Sequence, residues 1–254
     1  RSVSPWKERA RFDSATLLAA DTDLGWHGFP LQHFQNERWQ MWVLGEFYGD
    51  KPNLPTDLQT SADFNGHYLL IAYDQQKKQW HICTDRFGTV HAYLAADGQR
   101  VALGTFSPAV ADAAASKQLD WYALAGFFQF GFFLGDSTYW QDVRILPPAT
   151  HLVLDQEGQT ISEIKTWQWN HTPEPALSYE LALQEFKERF EEVIRDQVQG
   201  KTVALPISGG LDSRSTLVPL TGPNDHNTND ISPSSYGYKK HSPETRIAFQ
   251  LAQA

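Results

Sequence analysis

Residues 202–218 read TVALPISGGLDSRSTLV, and this stretch predicts a strand, a glycine turn and a helix in immediate succession. The run Thr202–Ile207 is typical of a short strand, and Asp212 lies in a segment of helical composition that we expect to stop near Pro219. Between them, Ser208-Gly209-Gly210 allows a tight turn. Such a turn before a helix is typical of an anion site, because backbone N–H groups and the positive helix end point at one place.

The side chains around this turn indicate which anion would bind. The hydroxyl groups of Ser208 and Ser213 can donate hydrogen bonds, whereas Asp212 would repel bare phosphate. An aspartate here is explained if it holds Mg²⁺ that bridges the phosphates of a nucleotide. Gly200-Lys201-Thr202 resembles the end of a Walker A loop, but Arg195 stands where that motif has its first glycine. We therefore reject a Walker site and expect a pyrophosphate site, which favours attack on the α-phosphorus of ATP and hence adenylation.

Upstream, short apolar runs separated by turns predict strands from Trp39 to about Leu154. The polar segments Asp74–Gln79 and Ala96–Gln99 each separate two of these runs, which favours antiparallel hairpins. The runs themselves are Met41–Leu44, Tyr68–Tyr73, Trp80–Cys83, His91–Leu94, Val101–Leu103 and His151–Leu154.

Three further helices are predicted from capping residues and apolar spacing. Asp120 can cap a helix that begins at Trp121, Ser178 a long helix that runs to Gly200, and Ser242 a last helix. We interpret the aromatic residues of Phe127–Phe133 as core packing rather than as a ligand surface.

Composition limits the class of protein. The chain has 254 residues, a mass of 28.8 kDa and a formal charge of −9, which disfavours binding to DNA or RNA. No apolar run approaches the roughly 18 residues needed to cross a bilayer, and Arg1–Asp13 is too polar for a signal peptide. The single cysteine, Cys83, is expected to be a buried thiol. We expect a soluble, cytoplasmic protein.

Several motifs occur in an order and spacing that is similar to a known family. The loop Ser208–Ser213 resembles the pyrophosphate loop (PP-loop) of the N-type ATP pyrophosphatases, which include asparagine synthetases, NAD and GMP synthetases and tRNA-thiolating enzymes. The preceding half resembles the class II glutamine amidotransferase half of asparagine synthetases, from about Trp39 onward. The segments that carry this second resemblance are Phe64–Tyr68, Ile71–Asp74, Asp85–Gly88 with Tyr93, Gly135–Thr138 and Leu146–Pro148.

The resemblance implies an α+β fold in two parts. Residues 1–165 would form an antiparallel β-sandwich with helices, of the N-terminal-nucleophile (Ntn) hydrolase type, as a degenerate amidotransferase-like domain. Residues 178–254 would form the start of a doubly wound α/β PP-loop domain. The segment Lys165–Pro175 carries two tryptophans and two prolines without a period, and we assign residues 166–177 as the linker.

In the amidotransferase half, this sequence departs from the family where the chemistry is done. The family begins with a nucleophilic cysteine, whereas Arg1 opens this chain and Cys83 lies in a later strand. The family's asparagine-glycine-glutamate segment, which supplies the oxyanion hole, is here Leu44-Gly45-Glu46. Asp85 matches the aspartate that binds the amino group of glutamine. We assign Gly45, Glu46 and Asp85 to a remnant glutamine pocket, name no catalytic residue, and expect no glutaminase activity.

In the synthetase half, the resemblance implies a nucleotide site. The residues expected to bind ATP and its pyrophosphate are Pro206, Ser208, Gly209, Gly210, Leu211, Asp212 and Ser213, with Asp212 as the Mg²⁺ ligand. Pro206, Ile207 and Tyr236-Gly237 resemble positions that flank the adenosine. Only about forty residues follow Ser213, so we expect this chain alone to be inactive.

Two functions from different classes remain open. The first is an AMP-forming amide ligase of the asparagine synthetase type that uses ATP and Mg²⁺ to activate a small-molecule carboxylate. Its nitrogen nucleophile would be ammonia or an amine of the substrate, since the chain also resembles β-lactam synthetases and lasso-peptide cyclases, which lack the cysteine. The second is a non-catalytic nucleotide-binding or scaffold module. We expect neither nucleic acid nor membrane as a partner, and the sequence leaves a homodimer open.

Overall fold

The computed structural model describes residues 6–11, 16–20, 30–49, 58, 64–96, 101–116, 118–173, 177–221, 231–236 and 242–253; of these, residues 6–11, 16–20, 252 and 253 are described for their backbone alone. The chain divides into two compact units, Arg1–Asn170 (unit 1) and His171–Ala254 (unit 2). The assignment of each part to a family domain stays a prediction. The fold is mixed α+β, and the sheets of unit 1 are antiparallel.

The described residues form strands and helices with the following bounds. The strands are β1 (Trp6–Arg11), β2 (Thr16–Ala20), β3 (Leu31–Gln35), β4 (Trp39–Phe47), β5 (Gly66–Asp74), β6 (Gln79–Thr84), β7 (Tyr93–Ala96), β8 (Val101–Gly104), β9 (Val143–Ile145), β10 (Thr150–Leu154), β11 (Thr160–Lys165), β12 (Val203–Pro206) and β13 (Ile231–Ser234). The helices are α1 (Ser107–Ala113), α2 (Trp121–Phe130), α3 (Tyr179–Val198), α4 (Leu211–Thr221) and α5 (Pro243–Gln253).

Unit 1 is built around a six-stranded sheet with the strand order β11-β10-β6-β5-β4-β3. A second, three-stranded sheet has the order β8-β7-β9, and β1 pairs with β2. The predicted hairpin across Asp74–Gln79 is confirmed, because β5 and β6 pair with Asp74 opposite Gln79. The predicted hairpin across Ala96–Gln99 is also confirmed by the antiparallel pairing of β7 and β8, although residues 97–100 lie outside the described residues.

The central strands of unit 1 bury both faces. Alternate residues of a strand point to opposite sides of the sheet, so Tyr68 and Leu70 of β5 contribute to one apolar cluster and Leu69 to another. The second cluster also contains Leu152 of the large sheet and Leu94 of the small one. Because one cluster draws on both sheets, they share a core, which is the arrangement that a sandwich requires.

Some elements differ from the sequence expectation. The strand expected at His91–Leu94 lies two residues later, at β7, and β1, β2, β3, β9, β11 and α1 were not predicted. β11 is mostly exposed and lacks the alternation that reveals a half-buried strand. α1 begins at Ser107 with Phe106 at its N-cap, which makes no side-chain capping bond, so Pro108 in the first turn is its main start signal.

The aromatic segment after Asp120 is predicted correctly in its start and wrongly in its burial. The Asp120 carboxylate accepts a hydrogen bond from the backbone N–H of Ala123, which confirms the cap. None of the residues of α2 is buried, so core packing of Phe127–Phe133 is wrong. Apolar residues surround this helix on all sides, and the sequence pattern therefore does not show which side faces the core.

Unit 2 contains α3, α4, α5 and a two-stranded parallel sheet of β12 and β13. The predicted caps of α3 and α5 are confirmed, since Ser178 accepts from the N–H of Leu181 and Ser242 from that of Thr245. The core includes Leu205, Ile207, Leu220 and Ala248, and Ile194 and Val198 of α3 pack against it.

Two boundaries in unit 2 are corrected. α4 does not stop near Pro219 but includes it and ends at Thr221. The sequence predicts a loop over Thr221–Ser234 and a weak second strand that ends at Ser235–Tyr238, whereas the observed strand is Ile231–Ser234. Its pairing with β12, with Val203 opposite Ile231, overrides the weak local propensity. Over the residues that the structure describes, no helix combines the length and apolar character needed to span a membrane.

Candidate functional site

The loop Ser208–Gly210 lies directly after β12 and before α4, so the predicted order of strand, turn and helix is present. Ile207 N–H donates to the carbonyl oxygen of Ser234 at 2.7 Å, which extends the contact with β13 to the start of the loop. The loop therefore lies at the carboxyl ends of two parallel strands. In open parallel sheets this edge is where ligands bind.

Serine side chains set the conformation of the loop. The N–H of Ser208 donates to Ser213 Oγ at 3.0 Å, and the two serine hydroxyl oxygens are 3.0 Å apart. The N–H of Gly210 donates to Ser208 Oγ at 3.1 Å, and Arg214 Nε donates to the Gly210 carbonyl at 3.1 Å. The two serines thus close the loop across its ends, and Arg214 ties it to α4.

The glycines of the loop differ in their surroundings. A Cβ added to Gly209 would lie 3.4 Å from the Cα of Glu244 and 3.4 Å from the Cδ1 of Ile247, so α5 packs closely on the loop. A Cβ on Gly210 would lie 3.2 Å from Ser208 Oγ. Substitution of either glycine would press on groups that shape the loop.

Asp212 is exposed in the first turn of α4, and Leu211 beside it is exposed as well. Across the described ranges, no group of three or more His, Cys, Asp or Glu residues is placed to hold a metal ion. A dedicated cage therefore does not fit Asp212. One carboxylate does fit Mg²⁺ that is held mainly by substrate phosphates, which is how this ion is commonly bound.

An open groove of about 310 Å³ lies beside the loop within unit 2. Of the residues expected to flank adenosine, Ile207 lines this groove, whereas Pro206 and Tyr236 are exposed and Gly237 lies outside the described residues. The sequence did not indicate the other lining residues, which come together only through the packing of β13 on α5. They are Pro233, Ser234, Ser235, Thr245, Ala248 and Phe249.

In unit 1, Gly45 and Gly66 allow β4 and β5 to approach closely. Gly45 lies opposite Tyr68 and has φ +126°. A Cβ built on Gly45 would lie 2.0 Å from the carbonyl oxygen of His67, and one on Gly66 would lie 2.3 Å from that of Glu46. Side chains are therefore excluded at both positions.

Glu46 belongs to a polar cluster that the sequence did not reveal. The Tyr48 hydroxyl donates to Glu46 Oε1 at 2.9 Å and lies 3.2 Å from His67 Nδ1. Burial raises the pKa of Tyr48 above its usual value, and the hydrogen bond to Glu46 adds to this effect. Glu46 and His67 are directly opposite in the register of β4 and β5, so only the strand pairing brings them together.

Asp85 is fully buried and its carboxylate accepts hydrogen bonds from several backbone N–H groups. Oδ1 accepts from Phe87 at 2.9 Å, and Oδ2 accepts from Tyr68 at 3.1 Å and Thr89 at 3.0 Å. These bonds connect β5 to the turn after β6, which gives Asp85 a structural role. Its binding of an amino group stays a prediction.

Leu44 and Cys83 also bear on glutaminase chemistry. The first side chain is apolar and the second is buried. Leu44 packs against the cluster shared by the two sheets and lies opposite Leu69. Cys83 is 1% exposed, which confirms the predicted buried thiol. Neither side chain is placed to donate a hydrogen bond to a reacting carbonyl oxygen or to attack it.

A histidine pair on the large sheet was not predicted either. His81 Nδ1 lies 3.0 Å from His151 Nε2, and β6 and β10 bring the two together. Burial, followed by the proximity of His151, lowers the pKa of His81 to about 4. His81 is therefore neutral near pH 7.

Comparison with family models assigns part of this chain. Residues 57–167 match the glutamine amidotransferase domain. The matched segment contains Asp85 and the strands β5 to β11, and it covers less than half of the 254 residues. No curated protein matches the chain.

Two solved structures are similar to it at low identity. One is described as glutamine phosphoribosylpyrophosphate (PRPP) amidotransferase from B. subtilis complexed with ADP and GMP, with 10% identity, a TM-score of 0.33, and coverage of 87% of this chain and 52% of that chain. The other is described as the allosteric regulatory enzyme of purine biosynthesis, with 9% identity, a TM-score of 0.34, and coverage of 87% and 51%. This chain thus spans about half the length of each.

Proposed function

We propose that this protein is an ATP-dependent, AMP-forming amide ligase of the asparagine synthetase type. In this proposal, a carboxylate substrate attacks the α-phosphorus of ATP, pyrophosphate leaves, and a nitrogen nucleophile then displaces AMP. Unit 2 would be the PP-loop domain, and unit 1 the Ntn-type amidotransferase-like domain. A cytoplasmic location belongs to the same proposal.

One observation carries the nucleotide part of the proposal. The loop of residues 208–213 lies at the carboxyl ends of β12 and β13 and leads into the N-terminus of α4. The first N–H groups of a helix have no partner within the helix and favour negative charge. The serine hydroxyls and Arg214 lie at the same loop, so several donors converge there. A nucleotide base would fit the adjoining groove, where Ile207 and Phe249 offer apolar contact.

Asp212 would hold Mg²⁺ in this site, and the ion would neutralise charge on the phosphates. The part played by the chain itself is to orient the phosphate groups. Ser208 and Ser213 would exchange the hydrogen bond between their hydroxyls for bonds to phosphate oxygens. Arg214 already donates to Gly210 and would keep the turn in place during this exchange.

We also propose that unit 1 does not hydrolyse glutamine. Leu44 stands where the resembling family has an asparagine, and an isobutyl group donates no hydrogen bond to a developing oxyanion. Cys83 is buried in β6 and is therefore not available as a nucleophile. Release of glutamate from glutamine should stay at background, and a rate that depends on the protein and persists after Cys83→Ala would contradict this.

The decisive experiment is calorimetric titration of the chain with ATP in the presence and absence of Mg²⁺. We expect binding that Mg²⁺ strengthens, and Asp212→Asn should remove most of the Mg²⁺-dependent part because it removes the anionic ligand. The control is Asp196→Asn, which alters an exposed carboxylate on α3 outside the loop. If the wild type and Asp212→Asn bound Mg-ATP with equal affinity, Asp212 would not be the Mg²⁺ ligand.

A second candidate function is a nucleotide-binding or scaffold module without catalysis. The observation that favours it is the set of Leu44, Cys83 and Asp85, all placed as structural residues of unit 1. Pyrophosphate release separates the two functions. Release of pyrophosphate with a carboxylate and a nitrogen donor would exclude the scaffold, whereas its absence is expected for both functions because we expect this chain alone to be inactive.

A further inference from the structure

Arg214 supplies the positive charge of the strand, loop and helix around residues 208–213. It is the only lysine or arginine between Lys201 and Lys239. Side chains of a helix lean toward its N-terminus, and the half-buried Arg214 accordingly reaches back to the loop, where its Nε donates to the Gly210 carbonyl at 3.1 Å. Among the described residues this is the only hydrogen bond of the side chain, and no carboxylate pairs with it. The guanidinium is thus held in place with its charge uncompensated.

The other charged side chains at the loop are carboxylates. Asp212 stands in the same turn of α4 as Arg214. Glu244 of α5 is adjacent, since its Cα and Cγ lie 3.4 and 3.5 Å from a Cβ built on Gly209. Carboxylates this close to a polyphosphate repel it. Mg²⁺ on Asp212 would offset part of this repulsion, and Arg214 is the cation that the chain itself provides at the loop.

The position of the guanidinium relative to the serines favours two phosphate groups over one. Ser208 Oγ accepts from the N–H of Gly210, whereas Arg214 donates to the carbonyl oxygen of the same residue. Ser213 Oγ lies 3.4 Å from that carbonyl oxygen. A phosphate group that accepts from the serine hydroxyls therefore leaves Arg214 for a neighbouring phosphate group. Four of the five guanidinium N–H groups are not used by Gly210, and their planar fork matches phosphate oxygens.

We propose that Arg214 makes this loop selective for pyrophosphate over a single phosphate, by binding the phosphate group next to the one that Ser208 and Ser213 hold. This inference rests on the proposed function. In that reaction a carboxylate oxygen bonds to the α-phosphorus of ATP, the bond from this phosphorus to the bridging oxygen of the β-phosphate breaks, and its electron pair leaves with pyrophosphate. Arg214 would stabilise the negative charge that the leaving pyrophosphate gains.

Calorimetric titrations of the full chain with pyrophosphate and with inorganic phosphate, both in the presence of Mg²⁺, test this selectivity. Arg214→Gln should weaken the binding of pyrophosphate about 10–100-fold, the usual loss for hydrogen bonds to a charged group. It should weaken the binding of inorganic phosphate less than about threefold. Arg214→Lys keeps the charge without the planar fork, so its affinity for pyrophosphate should lie between those of the wild type and Arg214→Gln.

Arg189→Gln is the matched control, because it removes the same charge from an exposed arginine of α3 in unit 2. It should leave both affinities unchanged. If Arg214→Gln weakened the binding of pyrophosphate and phosphate equally, Arg214 would only shape the loop through Gly210, and the inference would be overturned. An unchanged affinity of Arg214→Gln for pyrophosphate, in a chain that binds Mg-ATP, would also overturn the inference but not the proposed function. A wild type that binds neither pyrophosphate nor Mg-ATP would overturn both.

Discussion

Gly45→Ala is a substitution for which the structure gives a large expected loss of stability in unit 1. Gly45 has φ +126°, and the added methyl carbon would lie 2.0 Å from the His67 carbonyl oxygen and 2.9 Å from the Cα of Tyr68. Both atoms belong to the backbone of β5, so no side-chain rotation relieves the contact. The pairing of β4 with β5 must shift instead.

The magnitude follows from two separate costs. Holding a residue with a side chain in a sparsely populated backbone conformation costs about 1–3 kcal/mol. Inserting a methyl group into packed structure costs about 1–3 kcal/mol more. We therefore expect Gly45→Ala to lower the free energy of unfolding of unit 1 by about 2–6 kcal/mol, a large part of the roughly 5–15 kcal/mol that stabilises a typical domain.

Substitution of two other glycines by alanine separates the cost of the backbone conformation from the cost of the steric contact. Gly131 has φ +82°, and among the described residues, its chain neighbours aside, no atom lies within 4 Å of an added Cβ, so Gly131→Ala should cost about 1–2 kcal/mol from backbone conformation alone. Gly126 lies inside α2 with the nearest atom, Leu134 Cδ1, at 4.0 Å. Gly126→Ala should stabilise the helix by about 0.5–1 kcal/mol.

Urea unfolding, monitored by tryptophan fluorescence, measures the change in the free energy of unfolding of unit 1. All nine tryptophans lie between Trp6 and Trp169, hence in unit 1. The expected order of stability is Gly126→Ala, wild type, Gly131→Ala, Gly45→Ala. If Gly45→Ala were no less stable than Gly131→Ala, the close approach of β4 and β5 would be wrong. If Gly45→Ala does not fold, the soluble yield of Gly66→Ala tests the same approach from the other strand.

Two further predictions concern buried polar groups of unit 1. Because the pKa of His81 is about 4 in the fold and about 6.5 in the unfolded chain, the unfolded state binds more protons below pH 6.5. Stability should therefore fall by about 1–2 kcal/mol between pH 7 and pH 5, and His81→Gln should flatten this slope; equal slopes in parallel urea titrations would contradict the lowered pKa of His81. Asp85→Asn should destabilise by about 2–4 kcal/mol, since the amide NH₂ leaves buried N–H groups without an acceptor. The exposed Asp112→Asn should change stability by less than about 0.5 kcal/mol, and a similarly small effect at Asp85 would refute its structural role.

The sequence predicts correctly those elements whose formation depends on residues close together along the chain. The turn at Asp74–Gln79, the cap at Asp120 and the strand, turn and helix around Ser208 could all be predicted, because each is decided within a few residues. The pairs His81–His151 and Glu46–His67 could not. Each requires the register of two strands, and spacing along the chain does not contain that information.

The exposure of α2 could not be predicted from the sequence, for a different reason. Its residues from Trp121 to Phe130 are apolar on every side, and only the packing of the rest of unit 1 decides which of them is covered. The sequence pattern gave the type of element correctly and its burial wrongly. The exposure of the aromatic side chains of α2 is therefore known only from the structure.

Some motif residues of unit 1 are required by the fold of the backbone. Others would be required only for the hydrolysis of glutamine. Gly45 and Gly66 are required because any side chain would collide with the neighbouring strand, and Asp85 because it satisfies the N–H groups of a buried turn. These residues would be present in an amidotransferase fold whether or not it hydrolysed glutamine. A match to the amidotransferase domain over residues 57–167 is thus evidence of fold first. Evidence of glutaminase chemistry must come from side chains that the fold does not need, and at Leu44 that side chain is apolar.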